Sequence, residues 1–80
     1  MKQGAIQKWQ WIVQDRDTLG GAPRIKGTRL SVAFVLDLLS SGVSVDEIAD
    51  EFPPFPKECI PDVLKFAALK VAGKEPNVAA

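Results

Sequence analysis

The chain has 80 residues, with ten basic and ten acidic side chains, one cysteine and no histidine. This length provides a single domain with a modest hydrophobic core. The absence of histidine excludes histidine acid–base chemistry and most zinc sites, and a lone cysteine cannot form an internal disulfide. Because the carboxylates are scattered, we expect no catalytic residues, no metal site, no cofactor and no enzymatic activity.

The charges are unevenly distributed, although their sum is zero. Residues 1–29 carry a net charge of +4, residues 30–62 carry −6 and residues 63–80 carry +2. A polyanionic partner is therefore expected to meet the N-terminal part of the chain. The N-terminus lacks the pattern of a signal peptide and no apolar run could cross a bilayer, which predicts a cytoplasmic protein with no membrane partner.

Residues 6–30 predict a short β-hairpin or arm. Trp9, Trp11 and Val13 alternate with mostly polar residues, which favours a half-buried strand whose apolar face joins the core or forms a dimer or partner interface. A second extended piece begins at Arg24, and Gly27 with the next residue is expected to form a tight turn. Since an isolated hairpin is marginal in water, it must rest on the helices or on another subunit.

Residues 31–72 predict three helices. Ser31 is the expected N-cap of the first helix, which Gly42 ends. Ser44 and Glu47 form a capping box for the second helix, which Pro53 and the following proline stop. The first helix is expected to be mostly buried through Val32, Phe34, Val35, Leu36, Leu38 and Leu39. The second helix carries an apolar stripe of Val45, Ile48, Ala49 and Phe52.

The third helix is expected to begin near Lys57. Pro61 would either kink it or move its start toward Glu58 or Cys59, and Cys59 itself is expected to be a buried apolar residue. The stripe predicted to face the core consists of Ile60, Val63, Leu64, Ala67, Ala68 and Val71. Residues 73–80 are expected to form a frayed tail. Residues 1–80 are expected to form one mainly α domain with helix-turn-helix order.

Several segments together resemble the domain-of-unknown-function family 433, small bacterial and archaeal proteins related to VapB-type antitoxins. The matching features are Gly21-x-Pro23-x-Ile25-x-Gly27-Thr28-Arg29, an apolar helix ending at Gly42, Ser44-x-x-Glu47-Ile48 and Phe52-Pro53, within a resemblance from roughly Trp11 to Leu69. The resemblance implies a homeodomain-like or winged-helix-like three-helix bundle after a β-arm. For part of the family it also implies an antitoxin that acts beside a PIN-like nuclease toxin.

The sequence departs from the family pattern at the third helix, which would be the recognition helix. Pro56 stands where the family usually has a Ser or Thr cap, and Pro61 follows inside the helix. Glu58 and Asp62 also make the first turns a poor surface for DNA.

The segment from Gly20 to Val32 is either a structural turn or a nucleic-acid arm, because it lacks the spacing of a nucleotide-binding loop. The residues assigned to DNA contact are Arg24, Lys26, Thr28, Arg29, Lys57 and Lys65. Arg29 could instead pair with an acidic side chain of the second helix.

The acidic side chains of the second helix form a face that is expected to be either solvated or a docking surface for a basic toxin.

The function expected from these observations, mainly from the resemblance, is that of an antitoxin-like homodimer. It would bind a nuclease-type toxin and could also bind operator DNA. The alternative is a non-enzymatic protein-interaction or structural domain that does not bind DNA.

Overall fold

The computed structural model describes residues 9–78. In these residues, two short strands are followed by three helices: β1 (Ile12–Val13), β2 (Arg24–Ile25), α1 (Val32–Ser40), α2 (Val45–Glu51) and α3 (Ile60–Val71). Single 3₁₀ turns lie at Leu19–Gly21 and Lys57–Cys59. The prediction of a mainly α fold with an N-terminal hairpin is confirmed.

The two strands pair antiparallel, with Ile12 opposite Ile25 and Val13 opposite Arg24. The buried residue of β1 is Ile12, at 2% exposure, whereas Val13 is half-buried. The predicted inward face is therefore wrong at Val13, whereas Trp9 and Trp11 do pack against the core. The chain bends at residues 10 and 11 before the strand begins, and this bend interrupts the alternation on which the prediction depended.

The predicted ends of α1 are confirmed. Ser31 Oγ accepts a hydrogen bond from the N–H of Phe34 at 3.0 Å, which satisfies one of the free donors of the first turn. At the other end, Gly42 adopts a φ of 89°. The N–H of Val43 then donates to the carbonyl of Leu38 at 3.1 Å, as in a Schellman motif.

The capping box of α2 is also confirmed. Ser44 Oγ accepts from the N–H of Glu47 at 3.1 Å, and Glu47 Oε1 accepts from the N–H of Ser44 at 2.9 Å. These bonds to the ionised carboxylate hold the pKa of Glu47 below its usual value. The acidic first turn also suits the positive end of the helix dipole.

The delayed start of α3 is confirmed, because a 3₁₀ turn occupies Lys57–Cys59 and the α-helix begins at Ile60. Pro61 then lies in the first turn, where a missing N–H costs no intrahelical bond. The predicted stripe is wrong in part. Val63 and Phe66 are buried, whereas Leu64 is 53% exposed and Val71 is 89% exposed.

The core contains buried apolar residues of both strands, all three helices and the connection between α2 and α3: Ile12, Ile25, Val32, Val35, Ile48, Phe55, Cys59, Val63 and Phe66. Cys59 is fully buried, as predicted, and burial raises the pKa of its thiol to about 11. The expectation that α1 is mostly buried holds for its inner face only, because Phe34 remains 40% exposed.

The segment after α3 lies against the body of the domain. Pro76 is buried, Val78 packs against the core, and the Nε1–H of Trp9 donates to the carbonyl of Asn77 at 2.9 Å. The sequence predicts a frayed tail for residues 73–80, and residues 74–78 instead show these contacts. Residues 1–8 and 79–80 of the predicted arm and tail lie outside the described residues.

Candidate functional site

A tight turn after β2 explains two of the residues in the Gly27-Thr28-Arg29 segment. The N–H of Thr28 donates to the carbonyl of Ile25 at 3.0 Å, and Gly27 adopts a φ of 83° at the position where such a turn favours glycine. Thr28 Oγ1 donates to the carbonyl of Ile25 at 2.9 Å and accepts from the N–H of Leu30 at 3.0 Å. Gly27 and Thr28 are therefore needed by the turn itself.

Arg24 is also committed to internal contacts. Its Nη2 lies 3.0 Å from Asp15 Oδ2, and its Nη1 donates to the carbonyl of Thr28 at 3.2 Å. The bond from Arg24 holds the pKa of Asp15 below its usual value. This ion pair attaches the β1–β2 connection to the turn. The guanidinium of Arg24, which was predicted to contact DNA, is therefore bonded within the chain.

Arg29 differs from its neighbours because it is exposed and forms no ion pair or side-chain hydrogen bond within residues 9–78. It lines a cleft of about 610 Å³ together with Phe52, Pro53 and Pro54. Glu51 of α2 lines the same cleft without pairing with Arg29. The turn and the aromatic-proline segment, distant in sequence, meet at this cleft.

A second cleft, of about 490 Å³, adjoins the first and shares Arg29, Leu30 and Phe52 with it. Its walls are mainly apolar and include Leu19 and Phe34. We call the two clefts together the Arg29 groove. They are lined by Thr18, Leu19, Ala22, Arg24, Gly27, Thr28, Arg29, Leu30, Ser31, Phe34, Glu51, Phe52, Pro53 and Pro54.

Two aromatic rings and one leucine form the apolar part of the Arg29 groove. Phe34 and Phe52 are packed edge to face, with ring centroids 5.6 Å apart and planes at 84°. Phe34 is 40% exposed and Leu19 is 38% exposed. Neither residue is expected in a binding site from the sequence. A phenylalanine beside a helical stripe and a leucine before two glycines are both common and do not by themselves indicate a function.

Leu19 has a backbone conformation that L-residues avoid, with a φ of 53°. Its loop is held by hydrogen bonds at the neighbouring Gly21, whose N–H donates to the carbonyl of Thr18 at 3.0 Å. The carbonyl of Gly21 accepts from Gln14 Nε2 at 2.8 Å. The surrounding bonds therefore maintain a strained residue whose side chain is partly exposed at the groove.

Of the other cations assigned to DNA contact, Lys26 lies near Arg29, whereas Lys57 and Lys65 lie elsewhere. Lys26 is exposed in the turn beside Arg29, and Lys65 is exposed on α3. Lys57 Nζ lies 3.0 Å from Asp46 Oδ1, and this hydrogen bond raises the pKa of Lys57. The structure thus brings Arg24, Lys26, Thr28 and Arg29 together in one turn, whereas Lys57 and Lys65 belong to other elements.

The residues assigned to a dimer or partner interface make contacts within the chain. Trp9 and Phe66 have ring centroids 5.6 Å apart, and the N–H of Trp11 donates to Asp62 Oδ2 at 2.9 Å. Trp11 also packs against the core. These contacts agree with the expectation that the tryptophans join the core. The dimer interface predicted for Trp9, Trp11 and Val13 stays a prediction.

The part of the chain between residues 9 and 78 contains no cluster of three or more side chains that could hold a metal ion. None of its helices is long and apolar enough to cross a membrane. The exposed acids of α2 are Asp46, Glu47, Asp50 and Glu51, of which Asp46 pairs with Lys57.

No curated protein and no solved structure matches the chain. A family model described as "Protein of unknown function (DUF433)" matches residues 12–67, which is more than half of the chain. The matched range includes both segments that meet at the Arg29 groove, namely the Gly27-Thr28-Arg29 turn and Phe52-Pro53. The chain therefore belongs to the DUF433 family.

Proposed function

We propose that this chain is an antitoxin-like protein that binds a nuclease-type, PIN-like toxin, as its resemblance to a family related to VapB-type antitoxins implies. The observation that carries the proposal is the exposure of Leu19 and Phe34 in the same groove as Arg29, which has no ion pair among residues 9–78. Exposed apolar side chains beside an arginine are typical of protein–protein interfaces, whose central residues are enriched in aromatic side chains and arginine.

The outer face of α3 supports a protein partner rather than DNA. Leu64 and Val71 are exposed on this helix, which would be the recognition helix of a helix-turn-helix domain. Glu58 is exposed just before it, and Asp62 in its first turn accepts the N–H of Trp11. Apolar and acidic groups at these positions offer few donors to phosphates or bases.

Operator DNA is the second candidate, and the turn after β2 favours it. Lys26 and Arg29 are both exposed there, and the first 29 residues carry a net charge of +4. Because Arg24 and Thr28 are used internally, only these two cations of the turn could contact phosphates. Such a contact would bind DNA weakly and with a shallow salt dependence, because the dependence scales with the number of phosphates contacted.

The proposal also includes a cytoplasmic location, where a nuclease toxin would meet its substrate, and a homodimer formed through the N-terminal arm. Size-exclusion chromatography with light scattering tests the dimer. A mass equal to one chain at all concentrations would remove this part of the proposal without affecting toxin binding.

Co-expression with the product of the adjacent reading frame tests the main proposal. We expect the neighbour to inhibit growth when expressed alone, growth to recover when this chain is present, and the two proteins to elute as one complex. A harmless neighbour, or two proteins that elute separately, would contradict the proposal. A gel-shift titration with the upstream promoter at low and high salt tests the DNA candidate, and absence of a shift at low salt would remove it.

A further inference from the structure

We propose that the Arg29 groove binds a short segment of a partner protein in which an aliphatic side chain lies next to a carboxylate side chain. The inference deepens the proposed function, since it rests on the chain having a protein partner. It goes further by stating the chemistry of the segment that the groove recognises.

The apolar part of the groove fits an aliphatic side chain. Leu19, Phe34 and Phe52 line one cleft, and the first two leave more than a third of their surface exposed to water. A leucine or isoleucine side chain placed there would remove apolar surface from water on both partners. The edge-to-face packing of Phe34 on Phe52 fixes the rings before binding, so little conformational freedom is lost on association.

The charged part of the groove fits an anion. Arg29 has no acid within ion-pair distance among residues 9–78, although Glu51 lines the same cleft. Arg24, which lines it too, has a buried Nε that lacks a hydrogen-bond partner in the described part of the chain. A carboxylate beside Arg29 would accept a forked, charge-assisted hydrogen bond from its guanidinium.

The position of Arg29 indicates that the aliphatic and carboxylate side chains of the ligand belong to one short segment. Arg29 lines the polar cleft with Pro53 and Pro54, and it lines the apolar cleft with Leu19 and Phe34. A ligand that fills both clefts must therefore pass Arg29. A nucleic acid would supply phosphates but no aliphatic group for Leu19 and Phe34, so a peptide segment fits the whole groove better.

A peptide titration of the isolated chain, followed by two-dimensional ¹H–¹⁵N NMR, tests the inference. The probes are acetyl-Gly-Leu-Glu-Leu-Gly-amide and the same peptide with Gln in place of Glu. We expect amide shifts at Leu19, Arg29 and Phe34. We also expect the Glu peptide to bind about two- to fivefold more tightly, since an exposed ion pair contributes little.

Variants separate the charge effect from the general effect of a peptide. Arg29→Gln should keep the spectrum of a folded protein, because Arg29 makes no internal side-chain bond in residues 9–78. The variant should bind both peptides equally, because the positive charge that favours Glu is removed. Lys74→Gln, at an exposed cation after α3 that forms no ion pair in the described residues, is the matched control and should keep the preference for Glu.

The inference would be overturned by equal affinity of wild type for the two peptides, by shifts confined to other surfaces, or by no binding of either peptide. Shifts at the groove on raising the concentration of the chain alone would assign it to a second copy and also overturn the inference. Because no toxin is present in this experiment, a failure here leaves the co-expression result standing. A failed co-expression likewise leaves the peptide result standing.

Discussion

Arg24 Nη2 lies 3.0 Å from Asp15 Oδ2, and this ion pair attaches the β1–β2 connection to the turn that carries Arg29. Arg24 has only 18% of its side chain exposed, whereas the Asp15 side chain is 42% exposed. The pair therefore uses one of the cations that the sequence offers to DNA, and it leaves Arg29 as the exposed arginine of the same turn.

Asp15→Asn should make the unfolding free energy less dependent on pH in the acid range. The pKa of Asp15 is lowered by Arg24 in the folded state, so the unfolded chain takes up a proton first as the pH falls below about 4. The pair thus stabilises the fold above the ordinary pKa, and this contribution disappears as the pH falls through the folded pKa. Urea denaturation at pH 7 and pH 3 measures the effect.

The stability gap between wild type and the Asp15→Asn variant should be smaller at pH 3 than at pH 7. Asp17→Asn serves as the control, because the exposed carboxylate of Asp17 makes no ion pair in the described residues. An equal gap between wild type and Asp15→Asn at both pH values would contradict the role of the ion pair.

Gly27→Ala should destabilise the protein by about 1–2 kcal/mol, because alanine is strained at the positive φ of this turn. No atom lies within 4 Å of the added Cβ, so the cost comes from the backbone alone. Gly27→Asn should cost less, since asparagine tolerates this conformation better. Thermal and urea denaturation of the two variants would contradict the explanation if alanine were the milder substitution.

Thr28→Val should cost about 1–3 kcal/mol, because it keeps the shape of the side chain and leaves the N–H of Leu30 without its acceptor. Thr28→Ser retains the hydroxyl and should cost clearly less. Equal stability of the two variants in urea denaturation would show that the hydroxyl does not stabilise the turn.

Cys59 should react very slowly with Ellman's reagent at pH 8 in the native protein and rapidly in urea. The thiol is fully buried, and burial raises its pKa to about 11, so very little nucleophilic thiolate is present. The raised pKa stabilises the fold below the ordinary thiol pKa, and this contribution is lost as the pH rises toward 11. Rapid labelling under native conditions would contradict the burial of this side chain.

The helix ends could be predicted from the sequence because each depends on a few neighbouring residues. Ser31, the box of Ser44 and Glu47, and Gly42 all act through bonds within one turn. The delayed start of α3 follows in the same way from Pro61. These features require no knowledge of how the helices pack.

The orientation of the elements could not be predicted in the same way. Two-residue strands give no reliable alternation, and Ile12 is buried where Val13 was expected. The apolar residues of α3 cover so much of the helix that its rotation stays open, and the packing of Phe66 against Trp9 selects it. The ion pair of Arg24 with Asp15 and the groove between Leu19 and Phe34 likewise depend on tertiary contacts.

Arg29→Ala tests the central claim most directly, because it separates binding from stability. The claim is that Arg29 acts on a partner while Gly27 and Thr28 serve the turn. We expect the unfolding free energy to change by less than about 0.5 kcal/mol, because Arg29 is exposed and makes no side-chain bond among residues 9–78. Affinity for the product of the adjacent reading frame, measured by isothermal titration calorimetry, should fall about tenfold or more. Lys74→Ala, at an exposed cation after α3, should change neither quantity. A stability loss as large as that of Thr28→Val, together with unchanged affinity, would contradict the claim.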